Sequence, residues 1–262
     1  MTKYAVIAAS HNEEILRSSL LASPDLAARA EVSVQRGASS AGTAYNRGIQ
    51  ATQSKVMIFL HQDVYLPAGW FDKVDAALAW LGKHDPNWGL AGAFGTEPDG
   101  TGQGRIYSTG LQRVLGEEFT GGREVETLDE VVLILRRSSG LKFDEQLPGF
   151  HMYGADICLQ AAERGMRSYA ISACCVHNTN GIGMLPRAYW KCYELLRRKW
   201  RKRLPVSTPC MPITKWGGPA LRYLVKRPIT LALGGQRPGR RVANPARVWQ
   251  ELAVTGKVSQ SP

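Results

Sequence analysis

Along much of the chain, short apolar runs alternate with stretches whose apolar positions recur every three or four residues. Residues 4–9 are an uninterrupted apolar run that reads as a buried strand, and polar Ser10, His11, Asn12, Glu13 and Glu14 follow it. Residues 12–21 have helical spacing, with Ile15, Leu16 and Leu20 on one side, and residues 31–35 alternate like a second strand. A Gly/Ser segment at 37–42 opens a helix predicted over 43–53, with Thr43 as its cap. Residues 55–60 predict a third strand, in which Val56 to Leu60 are all apolar, as in a strand buried on both faces. Pro67 stands where helices begin, and residues 69–81 align Trp70, Val74, Leu78 and Leu81 on one helical face.

The second half is less regular. Residues 90–94 and 131–135 read as strands, and the Gly-rich, polar stretch 95–122 between them reads as loop. Residues 143–153 show no period. A helix is predicted over 156–164 with Asp156 as its N-cap, then a strand over 168–176 that ends at His177. Residues 185–204 form a long basic helical pattern. Beyond Thr208 the chain is rich in Pro, Gly and cations, which predicts a loosely packed tail with one helix near 246–254. Strands alternating with helices predict an α/β fold with a mostly parallel sheet flanked by helices. The expected division is a domain over 1–184, a basic helix over 185–207 and a tail over 208–262.

With 262 residues there is room for one large domain. No apolar run approaches the ~20 residues that span a bilayer. The first apolar stretch is too short for a secretion signal, so the expected location is cytoplasmic. Cys158, Cys174, Cys175, Cys192 and Cys210 are odd in number and include no C-x-x-C pair, which fits reduced thiols. Adjacent Cys174 and Cys175 on a strand would point to opposite faces and chelate zinc with His177 poorly. The net charge of +11 implies an anionic partner: nucleic acid, acidic lipid or a phosphorylated substrate. Nucleic acid is the least favoured of these, because charge is present without a nucleic-acid-binding module.

In open α/β sheets ligands bind beyond the carboxyl ends of the strands. Asp63 lies at such an end, placed to hold Mg²⁺ or Mn²⁺ against a diphosphate whose negative charge grows as a sugar departs. The competing structural reading is a turn or helix cap. The stretch AYNRGIQATQSKVMIFLHQDVYLPAGW (44–70) resembles the nucleotide-binding half of family 2 glycosyltransferases. Asn46 and Gly48 match the family's Asn-x-Gly helix start, and Asp63 matches the last Asp of its Asp-x-Asp motif, here His61-Gln62-Asp63. FDEQLPGFHMYGADICLQAAERG (143–165) resembles the acceptor-side acidic motif, and His177, with Asn180 and Gly181 after it, resembles the C-terminal histidine that completes metal or diphosphate binding. The resemblance covers about residues 4–183.

This resemblance implies a GT-A fold and an inverting transfer from a nucleoside-diphosphate sugar to a saccharide or lipid-linked acceptor, with Mn²⁺ or Mg²⁺ as cofactor. It implies metal ligands Asp63 and His177, and a donor site of Ser10, His11, Gln35, Asn46, His61, Gln62, Asp63 and His151. Three departures stand out. Gln35-Arg36 occupies the place of the acidic residue that reads the base, His61 replaces an acid, and Gly154 stands where a catalytic carboxylate is frequent. Asp156 is therefore the expected base, with Asp144 and Glu145 in reserve. A catalytically degenerate GT-A domain is the non-enzymatic alternative. A sugar nucleotidyltransferase is disfavoured, because it would carry a Gly-rich basic loop where Ser10 to Glu14 stand. Finally, Tyr189, Tyr193, Leu196 and Trp200 recur at helical spacing beside Arg197, Arg198, Lys199, Arg201, Lys202 and Arg203. That pattern suits either a peripheral contact with the inner face of an anionic membrane or a helix packed on the domain.

Overall fold

The computed structural model describes residues 4–233 and 238–258, so parts of the expected tail, 234–237 and 259–262, lie outside the described residues. The chain begins β1 (Tyr4–Ser10), α1 (Glu13–Ser18), α2 (Leu26–Arg29), β2 (Ala30–Arg36), α3 (Ala41–Ala51), β3 (Val56–His61), β4 (Val64–Tyr65) and α4 (Trp70–His84). Short strands follow: β5 (Leu90–Gly92), β6 (Phe94–Thr96), β7 (Gly102–Ser108), β8 (Arg113–Gly116), β9 (Gly122–Val125), β10 (Thr127–Leu128) and β11 (Val132–Arg136). Then come α5 (Tyr153–Glu163), β12 (Ser168–Ile171), β13 (Cys175–His177), α6 (Arg187–Lys199), α7 (Gly218–Ala232) and α8 (Pro245–Val254).

The main sheet has the order β2-β1-β3-β11-β5-β12-β9. Strands β2, β1, β3, β5 and β12 run one way, and β11 and β9 run against them. The sheet is thus mostly parallel, as expected, and buried on both faces. Alternate residues explain the two layers: Ile7, Phe59 and Leu133 pack with α3, α5 and α6, while Val6, Ile58 and Ile134 pack with α1 and α4. Helix α3 lies close on β1 because residue 48 is glycine. A Cβ there would meet Ile7 Cγ2 at 2.4 Å. Ser40 caps α3, its Oγ accepting from Thr43 N at 3.2 Å, so the expected cap at Thr43 falls one turn late.

Further expectations need correction. The stretch 95–122 is strand-rich: β6, β7 and β8 pair antiparallel and join β4, β10 and β13 in a second sheet. Its strands are short and carry Gly95, Gly102 and Gly104, so no apolar alternation marks them. The single strand expected over 168–176 is two, β12 in the main sheet and β13 in the second. Helix α5 begins at Tyr153 after Met152, so Asp156 sits inside its first turn rather than at the cap.

The aromatic stripe of α6 faces inward. Tyr189, Tyr193, Leu196 and Trp200 are all buried in the core beside α5. The stripe is therefore packing, and that face of α6 is closed to a membrane. Four cysteines are buried and Cys210 is exposed, all as free thiols. Cys174 and Cys175 belong to different apolar clusters, as strand neighbours should. In the tail, α8 docks through Leu252, whereas α7 buries no residue.

Candidate active site

The carboxyl ends of β1, β2 and β3 open on one cavity of about 270 Å³. Ser10, His11, Gln35, Tyr45, His61, Gln62, Asp63 and Arg241 are among its lining residues. Larger depressions exist, such as one of about 670 Å³ along α6 lined by Trp190 and Arg198. Among the described residues no cluster of ligating groups lies there, so the chemistry rather than the volume locates the site.

Asp63 follows β3, and β13 carries His177 to it through the second sheet. His177 Nε2 lies 3.5 Å from Asp63 Oδ1, and the Asn178 backbone N–H donates to Asp63 O at 2.8 Å. His61, at the end of β3, completes a group in which one ligating atom from each of His61, Asp63 and His177 lies within 4.8 Å of the others. Two imidazoles and a carboxylate form a mixed N/O donor set suited to a divalent transition ion. The protonation states fit. Burial pushes the His61 imidazole down to about 4, so it is neutral at pH 7. Burial alone would raise the Asp63 carboxyl, but the hydrogen bond and charge of His177, with His61 and Arg241, hold it well below the usual carboxylate range. Tyr153 lends its hydroxyl proton to the Glu130 carbonyl at 3.1 Å, and its oxygen sits 2.9 Å from His61 Nε2. With that proton on the Glu130 carbonyl, the Tyr153 oxygen can accept an Nε2–H from His61, the tautomer that keeps a lone pair on Nδ1.

Other expected donor-site residues brace the cavity. Gln62 Oε1 accepts from Ser10 Oγ at 2.9 Å and from the backbone N–H groups of His11 and Asn12 at 3.1 Å, which ties the β1–α1 turn to β3. Gln35 lines the wall and donates to Ser33 Oγ. Asn46 is elsewhere. Its amide bonds Phe143 O, Phe143 N and Glu145 Oε1, so it pins the segment after β11 onto α3. His151 is also off this cavity and packs edge-on to Tyr189 with ring centroids 5.9 Å apart.

The three expected carboxylates are all engaged. Asp156 is 1% exposed and bonds Trp200 Nε1 at 2.8 Å, Lys199 Nζ and Gln160 Nε2, joining α5 to α6. In this fold Asp156 serves as a tie between the two helices. Asp144 pairs with Lys199 Nζ at 2.5 Å, and Glu145 holds Asn46. A carboxylate the sequence reading missed is Glu130, which pairs with no cation among the described residues. A Cβ built on Gly154 would meet the Leu128 carbonyl oxygen at 2.6 Å and lie 3.1 Å from Glu130 Cγ, so Glu130 sits beside the helix turn at 154. Burial, then the neighbouring Asp129, push its carboxyl up to about 8 against hydrogen bonds from the Gly154 and Met152 backbone. Glu130 lines a small cavity of about 30 Å³ with Asp129, Tyr189 and Cys210. The Tyr189 hydroxyl meets the Cys210 thiol there.

Arg241 was also missed. The tail returns across the site, held by Gly239 N–H to Gly110 O and Val242 N–H to Asn178 Oδ1. Arg241 Nη2 then reaches Asp63 Oδ2 at 2.9 Å, and its Nε donates to Asn178 O.

This geometry agrees with sequence comparison: residues 5–185 match the glycosyltransferase-like family. The chain belongs to that family. A relative from Fuscovulum blasticum, "ATP synthase subunits region ORF 6", is 31% identical over 157 residues. The match covers 58% of this chain and 62% of that protein. Among solved structures, GalNAc-T7 with UDP, GalNAc and Mn²⁺ has a TM-score of 0.50 at 12% identity, covering 100% of this chain and 58% of that one. The mannosyltransferase PcManGT from Pyrobaculum calidifontis, with GDP-Man and Mn²⁺, has a TM-score of 0.46 at 15% identity, over 99% of this chain and 76% of that one. S. aureus TarS has a TM-score of 0.46 at 14% identity, covering 76% and 39%. The fold of this glycosyltransferase-family chain is GT-A.

Proposed function

We propose that this protein is an inverting glycosyltransferase that moves a sugar from a nucleoside diphosphate to a hydroxyl on a saccharide or lipid-linked acceptor. The observation that carries this reading is the His61–Asp63–His177 cluster, two of whose members line the cavity beyond β1 and β3. Those three residues would hold Mn²⁺ or Mg²⁺, and two imidazoles favour Mn²⁺. When bound, the ion neutralises the diphosphate as the sugar leaves. Arg241 can turn its guanidinium from Asp63 to a phosphate oxygen. Gln62 holds the β1–α1 turn so that the nucleotide meets a preformed wall.

Glu130 is the base in this reading, in place of Asp156. Its carboxylate takes the acceptor hydroxyl proton as that oxygen bonds the anomeric carbon, and the bond to the diphosphate breaks with its electron pair on the phosphate oxygen. A carboxyl poised near 8 is well matched to this task.

The test is turnover of UDP-GlcNAc, UDP-GalNAc and GDP-mannose with Mn²⁺, with water or simple saccharides as acceptors, for wild type and Glu130→Gln. Release of one nucleotide by wild type, slowed about 10²–10⁴-fold in Glu130→Gln with nucleotide affinity unchanged, supports both parts. Equal rates in the two proteins reject Glu130 alone. Nucleotide binding without any turnover supports the degenerate domain.

A further inference from the structure

Helix α7 is amphipathic the wrong way round for a soluble surface. Its inner side carries Ala220, Tyr223, Arg227 and Leu231. Tyr223 packs tilted against Trp190 with centroids 5.7 Å apart and accepts the Leu185 N–H at 3.0 Å, and Arg227 donates to Gly183 O at 2.8 Å. Its outer side is apolar. Leu221, Leu224, Val225 and Ile229 share one face at helical spacing, and their exposures run from 46% to 66%. Trp216 just before the helix is 92% exposed, and Leu233 just after it is 82% exposed. Exposed apolar residues grouped this way mark an interaction site, whereas scattered ones do not.

The chemistry around the patch chooses the occupant. Lys215, Arg222 and Lys226 are exposed beside it, and the chain carries a net charge of +11. A second copy would set these cations against their own kind. An anionic bilayer accepts both features: the apolar face enters the acyl boundary, the cations meet the headgroups, and an indole settles at the interface. We infer that Trp216 and the outer face of α7 form a docking surface for an anionic lipid bilayer. No helix among the described residues is long and apolar enough to cross a membrane, so the contact is with the surface. The inference goes beyond the glycosyl-transfer reading and holds or fails independently of it.

The test is flotation of the full chain with vesicles of phosphatidylcholine containing 30% phosphatidylglycerol, and with phosphatidylcholine alone, at about 50 and 300 mM salt. The variants are Leu221→Glu/Val225→Glu and Trp216→Ser, whose positions are exposed and leave the core intact. The expected result is binding to the anionic vesicles that weakens with salt and falls at least tenfold in the double variant, with an unchanged Tm. No binding to anionic vesicles, or equal binding by the double variant, overturns the inference. So does a lipid-free dimer that the double variant dissociates, which would assign the face to a second copy.

Discussion

At the scale of single residues, the chemistry turns on which carboxylates are free. Asp63 was legible because it ends an apolar strand and belongs to a motif. Glu130 was not, because only the folded chain brings it beside Gly154. Its titration makes a prediction. The carboxyl value rises from 4.5 to about 8 on folding, so between those values the folded state holds a proton that the unfolded state has lost. This contribution to stability is full below about pH 4.5 and is lost as pH rises through 8. Glu130→Gln removes that loss. In thermal melts at pH 9 its Tm should exceed that of wild type by a few degrees, with the difference shrinking toward pH 5. A residue kept for chemistry at a cost in stability behaves this way, and a Tm lowered at pH 9 would contradict the assignment.

Among elements, hydrophobic period identified β1, β3, β11, α3 and α4, whose faces are strongly apolar. It failed where pairing partners rather than local pattern make the strand, as in β6 to β8. It also misplaced Asp156 by reading a capping residue where the helix already had a first turn. In the fold Asp156 fastens α5 to α6 through Lys199 and Trp200. Asp156→Ala should therefore cost about 3 kcal/mol of stability in denaturant titrations while leaving nucleotide affinity near wild type. Packing between α3 and β1 is equally specific. Gly48→Val should destabilise by about 1–3 kcal/mol, since its side chain would run into Ile7.

At the scale of the whole molecule, the site is assembled from distant parts. Strands β3 and β13 supply the ligating cluster from two sheets, and the tail adds Arg241 to Asp63 across 178 positions of sequence. Sequence reading found the β3 and β13 contributions through their motifs and missed the segment around Arg241, which has no apolar period and is placed by bonds to Gly110 and Asn178. Arg241→Ala should weaken nucleoside-diphosphate binding roughly tenfold, seen as a higher Kd with the fold intact. The most direct test of the account is calorimetric titration of UDP, GDP and CDP into wild type and Asp63→Ala, each with and without Mn²⁺. The account predicts that one nucleotide binds wild type in a Mn²⁺-dependent manner and that Asp63→Ala abolishes this. Failure of all three nucleotides to bind wild type, or binding indifferent to both Mn²⁺ and Asp63, would contradict it.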